Sequence, residues 1–321
     1  MSRQSHHLDL IRVVEAGAVA ASEWVGRGNK GAADKAASEA MRAKLNEIPF
    51  LAEIAIGEGV KDDSYGLFEG ELVGAAVPQA LRDGDGRHLK PYLEQAMSEG
   101  VQAFSIAIDP IEGTTPTSKG GYEAMSVVAS GDYGCFFKTS RFYMDKLAVG
   151  RRLAEASLSP DLKFSAEENV ILAGQILGKD VREVVVCLLD RPRNAGPIER
   201  LRKLGCRLKL IQDCDVTACI ATCTGAVDMY LGIGGSPEAV LAAAAVKCLR
   251  GKFQAVEVDG DHKPVGDVYG QEQLAKGNVV FCAAGITDGL LLKGVGSGPV
   301  THAIEMRSET GTYREIRTVH G

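Results

Sequence analysis

No apolar run in the chain approaches the roughly 18–20 residues of a membrane span, which removes a transmembrane segment from the reading. An excess of basic residues is also missing: 36 Lys and Arg stand against 42 Asp and Glu, a formal net charge of −6. Nucleic acid is therefore not an expected partner, because grip on a phosphate backbone needs clustered positive charge. A Cys-x-x-Cys pair is absent as well, although there are eight cysteines: Cys135, Cys187, Cys206, Cys214, Cys219, Cys223, Cys248 and Cys282. Scattered through apolar stretches, they read as reduced, buried thiols, with Cys219 and Cys223 able to share a helix face. Repeats and low-complexity tracts are lacking. The first residues, Met1-Ser2-Arg3-Gln4-Ser5-His6-His7, carry no signal-peptide core, so a cytoplasmic location is the expectation.

What is there is an ordinary globular composition, 45% hydrophobic and 24% charged over 321 residues, enough for one large domain or two lobes. Net acidity does not exclude a small anionic substrate, which local charge and metals can hold. Leu8, Ile11, Val14, Ala18 and Ala21 recur at helical spacing and predict a helix over 7–24, broken by the glycines at 26, 28 and 31. A second helix is predicted over 32–45 and a short strand over 54–56. The polar stretch 75–100 should turn at Asp83-Gly84-Asp85-Gly86 and hold a short helix over 89–97. A strand over 103–109 is followed by three runs, 125–129, 135–138 and 141–149, that suggest an antiparallel meander.

Beyond residue 168 the texture alternates. Helices are predicted over 170–177, 197–204 and 216–223, and strands over 184–189, 207–211 and 227–231. A glycine-rich stretch, Gly232-Ile233-Gly234-Gly235-Ser236-Pro237-Glu238, then leads into a long apolar helix to about residue 249, and strands over 279–283, 301–306 and 313–319 close the chain. Alternating strands and helices predict an α/β fold, a layered sandwich with two lobes, 1–160 and 161–321.

The chemistry concentrates in Ile106-Ala107-Ile108-Asp109-Pro110-Ile111-Glu112-Gly113-Thr114-Thr115. An apolar strand ends in two carboxylates, a rigid Pro, a Gly and a hydroxyl. Carboxylates so close repel unless a cation sits between them. Oxygen-only ligands suit hard ions, Mg²⁺ or Mn²⁺, and the neighbouring hydroxyl points to hydrolysis. Other acids stand at strand or helix ends: Asp34, Glu58 and Glu238. Taken singly, Asp34 reads as a cap, Glu238 as a complement to a helix dipole, Asp213-x-Asp215 as a loop and Tyr143 as a packing aromatic.

Taken together, the segments resemble a family. Trp24-Val25-Gly26-Arg27-Gly28-Asn29-Lys30 with Ala33-Asp34, Ile56-Gly57-Glu58-Gly59 and Asp109-Pro110-Ile111-Glu112-Gly113-Thr114 come first. Phe142-Tyr143-Met144-x-Lys146-Leu147, Asp190-Arg191-Pro192-Arg193, Asp213-x-Asp215-Val216, Gly232-Ile233-Gly234-Gly235-x-Pro237-Glu238 and Ala284-Gly285-Ile286-Thr287-x-Gly289 follow. Their order and reach resemble the lithium-sensitive, magnesium-dependent sugar phosphatases, and more closely the class II, GlpX-type fructose-1,6-bisphosphatases. The resemblance implies an α-β-α-β-α sandwich whose N-terminal lobe binds metal and whose C-terminal lobe binds the sugar. It implies removal of the 1-phosphate of fructose 1,6-bisphosphate, with sedoheptulose 1,7-bisphosphate as a second candidate substrate, and assembly as a homodimer or homotetramer.

Position by position, the resemblance makes Asp34, Glu58, Asp109, Glu112 and Glu238 ligands of Mg²⁺ or Mn²⁺. Thr114 and Glu58 become catalytic, Thr114 orienting the attacking water. Glu112, Gly113, Thr114, Tyr143, Arg191, Arg193, Asp213, Asp215 and Glu238 line the substrate. Cations would neutralise charge developing on the phosphate, Arg matches phosphate as a fork, and ionised Asp accepts hydrogen bonds from sugar hydroxyls. Glycines around Gly113 and Gly234 would permit close backbone approach.

The chain departs from the family in several places: extra residues between Gly74 and Asp109, Val60 for an acidic residue, Ser64-Tyr65-Gly66 for Ala-Pro-Met, Cys214 for Gly and Asn194 for His. The extra residues read as a surface excursion. Cys214 and Asn194 border the expected sugar site. Two alternatives stay open at this point, an inositol or nucleotide phosphatase of the same superfamily and a non-catalytic metabolite-binding relative.

Overall fold

The computed structural model describes residues 7–57, 66–82 and 89–321. In chain order its elements begin with α1 (His7–Ser22), α2 (Lys30–Leu45), β1 (Leu51–Ile56), β2 (Leu72–Val73), α3 (Gln79–Arg82), α4 (Leu89–Ser98), β3 (Ala103–Glu112), α5 (Thr114–Lys119) and β4 (Met125–Asp132). There follow β5 (Tyr143–Val149), α6 (Arg151–Ala154), α7 (Ala166–Leu177), β6 (Val185–Leu189), α8 (Ala195–Leu204), β7 (Arg207–Ile211), α9 (Asp215–Thr224), β8 (Met229–Gly235) and α10 (Ser236–Cys248). The chain ends with β9 (Lys252–Val258), β10 (Pro264–Gly270), α11 (Gln271–Leu274), β11 (Val279–Gly285), β12 (Val300–Arg307) and β13 (Thr312–Val319). The α/β class expected from the alternation is the observed one.

The elements gather into two compact units. The first comprises Met1–Lys138, Gly277–Arg307 and Tyr313–Gly321, and the second Thr139–Lys276 with Ser308–Thr312. In the first, seven strands lie in the order β13-β12-β11-β4-β3-β1-β2. β3 runs parallel to β1 and antiparallel to β4. α1 and α2 pack together on this sheet. Leu10, Val14 and Ala18 of α1 and Ala33, Ala37 and Met41 of α2 are buried with Ile54, Ile106, Ile108 and Val128, each large apolar side chain contributing ~1.5–3 kcal/mol. The extra residues after Gly74 give α4, which buries Leu89, Leu93 and Ala96 against Leu51, Leu72 and Ala103. They buttress the β1–β2 end of the sheet. The turn expected at 83–86 lies outside the described residues.

In the second unit the sheet order is β10-β9-β5-β8-β6-β7. Side chains alternate across a strand, and the two faces are used differently. Leu147, Val149, Val186, Leu188, Met229 and Leu231 pack with Val170, Ala173, Ile198 and Leu201 of α7 and α8. Lys146 and Tyr230, one residue out of step, reach Asp215 of α9. α10 is buried on nearly every side, as its uniformly apolar sequence requires.

Three expectations differ from this architecture. The units do not divide at residue 160. β5 pairs with β8 and β9, so it belongs to the second sheet, while β11 crosses back to pair with β4. Residues 135–138 form no strand, so no meander joins β4 to β5. The hairpin of β9 and β10 was not anticipated, although its turn carries an Asp259-Gly260 signal and closes through Asp259 N–H to Lys263 O at 2.9 Å. Finally, Gly232–Gly235 is the end of β8 itself, where the strand was expected to stop at residue 231. All eight cysteines are free thiols, and seven are buried. No described helix is long and apolar enough to cross a membrane.

Candidate active site

Asp109 and Glu112 share a face because β3 carries a bulge. Residues three apart on an unbroken strand point to opposite faces. Here Asp109 opposes Val127 while Glu112 opposes Met125, one residue more on β3 than on β4. Pro110, which has no N–H to give a ladder, sits in that irregularity. The extra residue restores parity, and a carboxylate oxygen of Asp109 lies within 4.8 Å of one of Glu112. Ile111 N–H donates to Asp109 Oδ1 at 2.9 Å, and Ser126 Oγ donates to the Pro110 carbonyl at 2.7 Å, so the bulge is locked.

Gly113 then turns the chain into α5 at φ 103°, a left-handed conformation open to glycine. Thr114 follows; its hydroxyl donates to the Ile111 carbonyl at 3.3 Å and lies near enough to Asp34 to favour that carboxylate. Asn29 caps α2 by accepting from Ala32 N–H at 3.0 Å, which places Asp34 just inside the helix, and Lys30 Nζ donates to Thr115 Oγ1 at 2.8 Å. Burial raises the Asp34 pKa above its ordinary value, against the opposing pull of Thr114 and Lys30. The first unit thus brings together Asp34, Thr114 and Lys30, with Asp109 and Glu112 on the strand that leads into Thr114. Glu58 lies outside the described residues, as do Val60 and Ser64-Tyr65.

The candidates of the second unit gather at one edge of its sheet. β7, β6 and β8 are parallel neighbours, and Asp213, Arg191 and Glu238 each follow the C-terminal end of one of them. That edge is where open α/β sheets bind ligands. Tyr143 opens the antiparallel β5 opposite Gly235, at the same edge. Arg191 donates to Asp213 Oδ1 at 3.1 Å. The Arg193 guanidinium lies 4.5 Å from the centre of the Tyr143 ring, and His262 flanks that ring at 5.9 Å.

Asp215 behaves differently from Asp213. It is 4% exposed, and its Oδ2 accepts from Lys146 Nζ at 2.7 Å and from Tyr230 O–H at 3.2 Å. Burial opposes the Lys146 charge, but the Asp215 and Glu238 carboxylates outweigh it, and the Lys146 pKa rises. The β8 glycines make this packing possible. A Cβ on Gly234 would stand 2.1 Å from Asp215 Oδ2, and one on Gly235 would stand 1.9 Å from Glu238 Oε2. These glycines admit protein carboxylates, where sequence reading expected them to admit a ligand. Burial, followed by the charge of Asp215, raises Glu238 above the usual carboxylate range. Glu238 Oε2 and Ser236 Oγ are buried without a hydrogen-bond partner. Such an oxygen costs about 1–3 kcal/mol, and an oxygen-ligated cation is a partner that fits Glu238.

A family model described as "Bacterial fructose-1,6-bisphosphatase, glpX-encoded" matches residues 4–320. The chain belongs to this family. A protein of Crocosphaera subtropica named D-fructose 1,6-bisphosphatase class 2/sedoheptulose 1,7-bisphosphatase is 34% identical over 342 aligned positions, covering 98% of this chain and 95% of the relative. A protein of the same name from Microcystis aeruginosa is likewise 34% identical, with the same coverage. The glpX-encoded family implies dependence on a divalent metal, and the Asp109–Glu112 pair suits one.

Against this family the two departures beside Arg193 and Asp213 have structural explanations. Cys214 is buried and left-handed at φ 71°, a conformation that costs a non-glycine residue ~1–2 kcal/mol. It turns the chain so that Asp213 meets Arg191 while Asp215 turns inward to Lys146. Asn194 is fully buried, so it alters the support of the site. Sequence reading assigned no role to Lys30, Lys146 or Tyr230. A lysine in the middle of the strand predicted over 141–149 was the available signal for Lys146.

Next to it, burial pushes the Asp145 carboxyl up to about 6 from 3.8. The raised folded pKa means that stability present below about pH 4 is lost as pH rises through about 6. Asp145→Asn is accordingly expected to stabilise the protein by ~1–2 kcal/mol near neutral pH and not at about pH 4. Urea denaturation at the two pH values checks it, and an equal gain at both would contradict the assignment.

Proposed function

We propose that the chain hydrolyses the 1-phosphate of fructose 1,6-bisphosphate, giving fructose 6-phosphate and phosphate, with Mg²⁺ or Mn²⁺ as cofactor. Sedoheptulose 1,7-bisphosphate is the proposed second substrate, since the relatives named above carry both activities in their names. The observation that carries the reading is the β3 bulge, which pairs two carboxylates on the strand that runs into Thr114, beside Asp34.

Asp34, Asp109, Glu112 and Glu238, with Glu58, are the proposed metal ligands; a divalent cation bound there supplies positive charge to the phosphate and acidity to water. Thr114 orients the attacking water, its hydroxyl held between the Ile111 carbonyl and the neighbouring Asp34. Gly113 and the start of α5 offer backbone N–H groups to the scissile phosphate. Arg191 and Arg193 hold the other phosphate, Arg193 with its plane set by Tyr143. Asp213, partly exposed beside Arg191, accepts a hydrogen bond from a sugar hydroxyl. Asp215, already engaged by Lys146 and Tyr230, supports the site from below. Cytoplasmic dimers or tetramers are the proposed working form, checked by light scattering.

The test is phosphate release from sugar bisphosphates, inositol phosphates and 3′-phosphoadenosine nucleotides, with Mg²⁺, with Mn²⁺ and after chelation. Release from fructose 1,6-bisphosphate that vanishes with chelator is expected. Release only from inositol phosphates or nucleotides would replace the reading, and binding without release would make the chain a metabolite-binding relative.

A further inference from the structure

Asn194 stands at the N-terminus of α8, where asparagine ordinarily caps the first turn, yet its side chain makes no cap. It turns to the end of β8 instead. Oδ1 accepts from Ile233 N–H at 2.8 Å, and Nδ2 donates to the carbonyls of Ile233 and Leu189, each at 3.1 Å. The strands it joins are paired only at Val186–Met229 and Cys187–Tyr230. Past that point β6 and β8 part, and the Asn194 amide fills the gap with bonds a backbone ladder would otherwise make. Gly232 leaves room for it, because a Cβ there would stand 2.8 Å from Asn194 Oδ1.

The Ile233 carbonyl also holds Arg193. Its Nε donates to the Ile233 carbonyl at 2.9 Å, and its guanidinium lies over Tyr143. One carbonyl and one ring therefore fix the guanidinium plane, and the terminal nitrogens keep the fork that matches phosphate. Asn194 is the residue that fixes the carbonyl, gripping Ile233 at both its N–H and its C=O.

We propose that Asn194 is a positioning residue for substrate choice: by locking the Ile233 backbone it aims Arg193, and so sets the preference for a sugar carrying two phosphates over one carrying a single phosphate. The inference rests on the reading that Arg193 binds the phosphate that is not cleaved. A residue that merely stabilised the fold would affect both substrate types alike, whereas one acting through Arg193 affects only the doubly phosphorylated one.

The experiment compares fructose 1,6-bisphosphate with fructose 1-phosphate in the wild type, Asn194→Ala, Asn194→Ser, Arg193→Ala and the Arg193→Ala/Asn194→Ala pair. In Asn194→Ala the ratio of kcat/KM values, bisphosphate over monophosphate, should fall about tenfold or more through KM, with kcat within about twofold. Constants for the monophosphate should hold, and adding Asn194→Ala to Arg193→Ala should change the ratio less than about twofold. An unchanged ratio in a folded variant, or equal losses on both substrates, would overturn the proposal. So would failure of both Asn194 variants to fold, which would leave Asn194 a structural residue alone. A wild type that cleaves neither sugar phosphate would defeat the proposed function itself, and the inference with it.

Discussion

Glu112→Gln should lower turnover of fructose 1,6-bisphosphate by about 10³-fold or more while the protein keeps its fold. Glutamine has nearly the shape of glutamate, so β3 and its bulge have no steric reason to change. What disappears is one of two carboxylates held within 4.8 Å of each other. At an effective dielectric of ~20, two unit charges ~5 Å apart repel by about 3 kcal/mol. Neutralising one relieves that repulsion in the metal-free protein, so the variant without metal should melt at the wild-type temperature or above it. With Mn²⁺ or Mg²⁺ the order should reverse, because a ligand that binds only the folded state stabilises it in proportion to its affinity. Calorimetric melts with and without metal, run beside phosphate release, check both halves. Full activity in Glu112→Gln would remove Glu112 from the metal site.

Lys146→Met should destabilise the protein by ~3–5 kcal/mol, the usual cost of removing one partner from a buried ion pair. Lys146 and Asp215 have side chains 1% and 6% exposed. Methionine fills most of the lysine volume, so the loss is electrical: the Asp215 carboxylate would stay buried with Tyr230 as its remaining named donor. For a chain of this size that is a fall of roughly 4–8 °C in Tm. Lys146→Met/Asp215→Leu should recover much of it, since an apolar pair of similar volume often replaces a buried ion pair at little cost. Chemical denaturation of the single and double variants decides the matter. A double variant no more stable than Lys146→Met would show that the loss is one of packing.

The two predictions mark what the sequence made legible and what it did not. Asp109, Pro110, Glu112, Gly113 and Thr114 are neighbours in the chain, and local geometry suffices to read a carboxylate pair beside a hydroxyl. The bulge that puts both acids on one face is foreshadowed by Pro110, which cannot join a ladder. Lys146 and Asp215 are 69 residues apart, so no local pattern announces their pairing. The β8 glycines misled for the same reason. Gly-Ile-Gly-Gly is loop-like in composition, and only the approach of Asn194, Asp215 and Glu238 shows why a strand there can have no side chains on those residues. Alternation of helices and strands was enough for the α/β class. It could not show that β11 returns to β4 from some 150 residues away, which is why a lobe boundary drawn along the chain fails.

The central claim is that the metal-loaded protein removes the 1-phosphate from a sugar bisphosphate. Phosphorus NMR of fructose 1,6-bisphosphate with Mn²⁺-activated protein, quenched and chelated before recording, follows both phosphates at once. The account predicts loss of the C1 resonance, growth of inorganic phosphate, and retention of the C6 resonance as fructose 6-phosphate. Loss of the C6 phosphate first, or release undiminished by prior removal of metal, would contradict it.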